Sequence, residues 1–137
     1  PKTLEMMETL GITVVGYNTD EFPAFYSRES GCLGIHSVLS PASIGDIYNE
    51  NVSARLSSAM LVANPVPEKD EIPANEMESI IESACKTAAE QNIIGKDLTP
   101  FLLKEIVEKT AGRSLETNKA LALNNINLGI QIANGLV

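Results

Sequence analysis

The chain has 137 residues, 44% of them apolar, which is enough to bury a sizeable core and too much for a disordered tail. Ten basic against eighteen acidic side chains give a formal net charge of −8, which disfavours nonspecific attraction to nucleic acid or to an anionic membrane. An anionic substrate would need a local positive field, a metal or a helix N-terminus. The most lipid-like stretch, residues 120–137, carries no charge but holds five amides and reads as too polar to span a bilayer. Cys32 and Cys85 form no CxxC or Cys/His cluster and read as two buried thiols in a reducing cytosol.

In chain order, residues 3–10 predict a helix with Leu4, Met7 and Leu10 on one face and Gly11 as its stop. Residues 12–16 predict a buried strand, and this helix–glycine–strand joint points to an α/β fold. The strand runs into GYNTDEFPAF (16–25), an unusual exit, because a plain turn has no use for aromatics. Tyr17, Phe22, Phe25 and Tyr26, four of the six aromatics, crowd around Asp20 and Glu21. Residues 27–34 read as a loop and 35–39 as a short strand. Ser40-Pro41 reads as an N-cap with proline at N1, opening a helix to about residue 55.

A second strand is predicted at 59–63, followed by an acidic, proline-braced loop at 66–73. The clearest helix covers 74–92, with Met77, Ile80, Ile81, Ala84 and Ala88 inward. Thr99-Pro100 is read as the cap of a helix over 100–111. Ser114 is read as the cap of a last helix reaching residue 134. Along that helix Asn118, Leu121, Asn125, Leu128 and Ile132 share a stripe, so its amides need partners: backbone groups, a second subunit, or a ligand at Asn118. A helix this free of charge is expected to be buried on every side, and a subunit interface would suit it. No repeat or linker divides the chain, which reads as one α/β unit ending in helices.

The candidate chemistry is sparse. Asp20 and Glu21, beside aromatics, have the setting for a raised pKa and acid–base or metal work; the competing reading is loop closure, with Asp20 accepting backbone N–H bonds. His36 is the only histidine, so no histidine metal site or Cys–His dyad closes. Glu68, Asp70 and Glu71 read as a solvated connection. Arg113 stands at a helix start, where arginine and free N–H groups can meet phosphate. No lysine lies in an apolar strand, as a Schiff-base lysine would require, and no catalytic nucleophile emerges.

Four stretches in order, GYNTDEFPAFYSRESG, LVANPVPE, GKDLTPFLL and GRSLETNKALALNN, resemble the C-terminal half of the pseudouridine-5′-phosphate glycosidases, also called the indigoidine synthase A-like family. The resemblance runs the length of the chain, with departures at Asn18 and Ala111, where glycine is usual, and at Lys119, where an aliphatic residue is usual; 44–58 matches poorly. It implies an α/β fold that is part of a three-layer α/β/α domain with a central sheet, the C-terminal portion mainly helical, residues 1–137 forming the C-terminal part of a single domain. It implies a lyase or glycosidase of nucleotide catabolism that reversibly splits pseudouridine 5′-phosphate into uracil and ribose 5-phosphate. Family members work through a lysine Schiff base, a glutamate acid and manganese bound through an aspartate, and they form homotrimers.

By the same resemblance the lysine, the acid and the metal ligand all precede Pro1, leaving no catalytic or metal residue in this chain, which alone would be inactive. Asn118 matches the family asparagine that contacts substrate, and Thr19 and Asp20 are expected to form the site wall or to support it from behind. The expected location is the cytoplasm, or an organelle in a eukaryote. A chain opening on Pro1 without methionine reads as a fragment or a processed product. Two other readings compete: a non-catalytic α/β binding or assembly module of the same fold, and a self-contained metallohydrolase using Asp20, Glu21 and the 68–71 acids.

Overall fold

The computed structural model describes residues 2–136. In chain order the elements are α1 (Lys2–Thr9), β1 (Thr13–Tyr17), β2 (His36–Val38), α2 (Pro41–Ser53), β3 (Met60–Ala63), α3 (Ala74–Glu90), α4 (Leu98–Lys109) and α5 (Arg113–Asn134). Short 3₁₀ turns lie at Glu68–Asp70 and Gly95–Asp97. The strands form one parallel sheet in the order β2-β1-β3. Val15 stands opposite His36 on one side and Val62 on the other, and Gly16 opposite Ser37 and Ala63.

Side chains alternate across a strand, so this register gathers Val15, Tyr17, Val38, Met60 and Val62 on one face. There they pack against Ile44 and Ile47 of α2 and Leu128 and Ile132 of α5. A second core lies apart from the sheet, where Ile72, Met77, Ala84 and Ile106 enclose Tyr26. Every long element after residue 73 is a helix, and the fold class is α/β with a small parallel sheet and a helical C-terminal portion. Among the described residues no helix is long and apolar enough to cross a membrane.

The α2 cap is the one expected: Ser40 Oγ accepts the Ser43 N–H at 3.1 Å, with Pro41 in the first turn. Two other caps differ. α4 begins at Leu98, so Thr99 is already helical and Pro100 sits at the third position, where its missing N–H costs nothing. α5 is entered through Gly112 at φ 86°, and Ser114 is not its cap. Thr110 Oγ1 accepts the Ser114 N–H at 3.2 Å and donates to the Ser114 hydroxyl at 3.0 Å. The cap therefore comes from the preceding helix end, because left-handed Gly112 folds α5 back towards it.

α5 is not buried all round. Ser114, Thr117 and Leu128 are buried, whereas Leu123, Ile126 and Ile130 are more than half exposed. Ile81 likewise lies outside the core of α3. The cysteines are free thiols, but the expectation that both are buried fails: Cys32 is half-buried in an exposed stretch of loop, and Cys85 is exposed on α3 one position past buried Ala84.

Candidate functional site

The segments leaving the C-terminal ends of β1 and β3 enclose an open cleft of about 650 Å³. In open α/β sheets ligands bind outside these strand ends. One wall is Asn18, Thr19, Asp20 and Glu21, continued by Ser27 and Arg28. The other is Pro65, Glu68 and Glu71, and the N-terminus of α3 at Ala74 and Asn75 completes it.

The first wall is a sharp exit from β1. Asn18 takes φ 53°, a left-handed conformation that asparagine tolerates better than most residues, and its N–H donates to the Val38 carbonyl at 2.9 Å. The Thr19 hydroxyl donates to the Glu21 carbonyl at 3.0 Å and accepts the Glu21 N–H at 3.1 Å. Glu21 Oε1 accepts the N–H groups of both Ser30 and Gly31. The Asp20 carbonyl receives Gly34 N–H at 3.0 Å and Ile35 N–H at 3.2 Å. Loop closure therefore falls to the Glu21 carboxylate and the Asp20 backbone. The Asp20 side chain makes no hydrogen bond among the described residues.

This arrangement overturns the expectation of a raised carboxylate pKa at Glu21. The Ser30 N–H, opposed by desolvation and aided by the Gly31 N–H and the Ser30 hydroxyl, holds it below the ordinary value. Tyr26 is the group that burial does perturb, its phenol being pushed up.

The aromatics of the loop also find their reason. Tyr26 is buried in the second core, with Phe25 against it edge-on at 4.7 Å. The same segment is stitched to the exit of β3: Ile72 N–H donates to the Tyr26 carbonyl at 2.9 Å, and the Ser27 hydroxyl to the Ile72 carbonyl at 2.6 Å. Arg28 donates its N–H to the Glu71 carboxylate at 3.1 Å and Nη1 to the Val66 carbonyl at 2.8 Å. Arg28 is the one cation lining the cleft among the described residues, facing Asp20, Glu21, Glu29, Glu68 and Glu71. Arg28 lies within the family-like stretch GYNTDEFPAFYSRESG but drew no role of its own there, and Glu71 read only as one of three acids in a solvated connection.

Of the residues expected at the site, Thr19 and Asp20 line the cleft, while Asn118 does not. Asn118 is half-buried on α5, one residue beyond Thr117, whose hydroxyl donates to the Asp70 carbonyl at 2.7 Å. Two other amides of α5 are met by the segment that leaves β3. Asn124 donates to the Pro65 carbonyl at 3.1 Å, and Asn125 accepts from Asn64 at 2.9 Å. Arg113 is paired with Glu76 at 2.6 Å instead of standing free for phosphate. His36 is exposed on β2.

No three His, Cys, Asp or Glu side chains among the described residues stand together as a metal donor set. Glu21 and Glu71 are already occupied by backbone N–H groups, so the acids of the cleft do not fit a metal centre by themselves. That removes the support for a self-contained metallohydrolase. Among the described residues no lysine lines the cleft.

The sequence profile described as "Indigoidine synthase A like protein" matches residues 1–135. The chain belongs to the indigoidine synthase A-like family. It is 47% identical over 136 residues to the pseudouridine-5′-phosphate glycosidase of Solibacter usitatus, covering 99% of this chain and 46% of that protein. With the enzyme of the same name from Staphylococcus aureus it shares 46% over 133 residues, covering 97% and 43%. The chain thus spans less than half the length of the curated relatives it matches.

Among solved structures, an indigoidine synthase A-like protein from Thermotoga maritima superposes with a TM-score of 0.83 at 42% identity, covering 96% of this chain and 43% of that one. The prealnumycin C-glycosynthase AlnA, solved with ribulose 5-phosphate, gives a TM-score of 0.90 over 98% and 44%; at 22% identity it shows the shared fold alone. Asn18 and Ala111, the two positions where the resemblance led us to expect glycine, lie on left-handed backbone at φ 53° and φ 49°, where glycine is the unstrained choice. Lys119, where it led us to expect an aliphatic residue, is exposed and pairs with Glu116 at 2.7 Å.

Proposed function

We propose that this chain is the C-terminal part of a single-domain pseudouridine-5′-phosphate glycosidase, which reversibly splits pseudouridine 5′-phosphate into uracil and ribose 5-phosphate. The observation that carries this reading is the 47% identity to such an enzyme over 136 residues. The cleft at the strand ends supports it by bringing two of the matched stretches, GYNTDEFPAFYSRESG and LVANPVPE, to one place.

The bond to be broken joins two carbons, so no glycosidic heteroatom can be protonated as a leaving group. The C1–O bond of the sugar would open, its electron pair and a proton going to the ring oxygen, as the lysine nitrogen bonds to C1. That nitrogen's lone pair then expels the base, whose carbon takes the C–C electron pair and a proton from the acid, leaving C1 as a lysine imine that water releases as ribose 5-phosphate. The reading places that lysine, that acid and the aspartate ligand of manganese outside these 137 residues. The metal would supply Lewis-acid polarisation when bound.

The residues present here would bind and orient. By the family motif Asn118 would offer a donor and an acceptor to the substrate from α5, outside the lining of this cleft, while Thr19 and Asp20 would shape the wall. Arg28 is the available partner for an anionic group. Assembly as a homotrimer would cover the apolar face of α5, where Leu123, Ile126 and Ile130 are exposed.

The test is to incubate the complete gene product with pseudouridine 5′-phosphate and follow uracil release. In parallel, ribose 5-phosphate with borohydride should leave a covalent adduct detectable by intact mass. A folded protein that binds ribose 5-phosphate but gives neither uracil nor adduct would instead be a non-catalytic module. Asn118→Ala should lower kcat/KM by about tenfold or more, the loss of one buried substrate hydrogen bond.

A further inference from the structure

The loop of residues 18–35 brings Thr19, Asp20 and Arg28 to the cleft, yet its far half is largely exposed and contains no helix or strand. Its closure is concentrated at Glu21. The backbone of Glu21 is held on both sides by the Thr19 hydroxyl, and it pairs with Leu33 in an isolated antiparallel bridge. Its Oε1 then reaches across to the successive N–H groups of Ser30 and Gly31. Gly31 is left-handed at φ 77°, and such a residue turns two consecutive N–H groups into a concavity for one anion. The Ser30 hydroxyl, which donates to the Phe22 carbonyl, and the Phe22 N–H, which donates to the Cys32 carbonyl at 2.8 Å, complete the seam.

We propose that Glu21 is a positioning residue of the cleft: its carboxylate latches residues 30–31 onto the exit of β1 and so fixes where Thr19, Asp20 and Arg28 stand towards the substrate. The start and the middle of the loop are otherwise anchored to different bodies. Thr19 and Asp20 follow the sheet, whereas Tyr26 and Ser27 are fixed to the second core and to Ile72. The latch sets the relation between them. Glu21 belongs to neither hydrophobic cluster, so opening it disturbs the loop and leaves the cores intact. A charged acceptor holds such N–H groups more firmly than a neutral one.

The proposal rests on reading the cleft as the substrate site, and its test has a readout independent of turnover. In the complete gene product, Glu21→Ala should speed hydrogen exchange of the Ser30 and Gly31 amides by about tenfold or more, with the sheet and helices unchanged. KM for pseudouridine 5′-phosphate should rise by about tenfold, with kcat changing less. Glu21→Gln keeps Oε1 as an acceptor and should restore most of both; Glu21→Asp, one methylene short, should not. If Glu21→Ala does not fold, the Gln and Asp variants decide the matter by the same measurements.

Unchanged exchange at residues 30–31 overturns the latch. Acceleration spread over the sheet and helices makes Glu21 a general stability residue and overturns the proposal too. So does a loosened loop with unaltered KM. A wild-type protein that does not cleave pseudouridine 5′-phosphate defeats the proposed function, while the exchange data still judge the latch.

Discussion

Gly16 lies so close beneath the carbonyl of Thr19 that a β-carbon at position 16 would overlap that oxygen and come within 2.8 Å of Ile35 Cδ1. Gly16 is on the central strand, held between Ser37 and Ala63, and has no room to retreat. The absent side chain is what lets the chain fold back over the end of the sheet and present Thr19 to the cleft. Gly16→Ala should destabilise by about 1–3 kcal/mol through overpacking, and should lower activity beyond that by displacing the turn. Urea unfolding and kcat/KM of the same preparation separate the two effects.

Ala111 is the strained counterpart. It adopts φ 49° between the end of α4 and Gly112, where its β-carbon is crowded by the backbone. Ala111→Gly relieves that strain but adds freedom to the unfolded chain, and the net gain should be roughly 0.5–1 kcal/mol. An increase in the urea midpoint with unchanged slope would bear this out, and a decrease would refute it.

The Glu21 carboxylate is held below its ordinary value of 4.5, first by the Ser30 N–H. A carboxylate whose folded pKa is lowered contributes stability that is present above the unfolded value and lost as pH falls through the folded one. Protection of the Ser30 and Gly31 amides should therefore fade on acidification below the ordinary carboxylate range, after correction for the intrinsic exchange rate. In Glu21→Gln that component should be absent, and its persistence would assign the acid response to another group.

The exposed face of α5 is the surface proposed for self-assembly. Ile126→Glu places a charge amid Leu123 and Ile130 and should convert the oligomer into smaller, folded species by sedimentation. An unchanged mass would locate the subunit contact on another face.

Much of the fold was legible in the residues. The apolar runs at 12–16 and 59–63 and the shorter stretch at 35–39 located all three strands, and Ser40-Pro41 the start of α2, because burial period and cap chemistry are local properties. Where the sequence misled, the cause was a partner distant in the chain or hidden in backbone conformation. Ser114 looked like a cap, yet left-handed Gly112 handed that role to Thr110. The amides of α5 read as needing partners, and the residues that supply them lie 59 and 61 positions away: Asn124 donates to the Pro65 carbonyl and Asn125 accepts from Asn64.

The cleft divides in the same way. The family resemblance of GYNTDEFPAF led us to expect Thr19 and Asp20 at a site wall, and both line the cleft. That Glu21 is a latch with a lowered pKa was not legible, because it depends on two N–H groups nine and ten residues away. Composition, periodicity and family motifs thus determined the fold class, the two clearest strands and the family to which the chain belongs. The partners of Glu21, Arg28 and the asparagines of α5 were decided only in three dimensions, since hydrogen bonds are set by where the packed cores bring the backbone and not by neighbours in sequence.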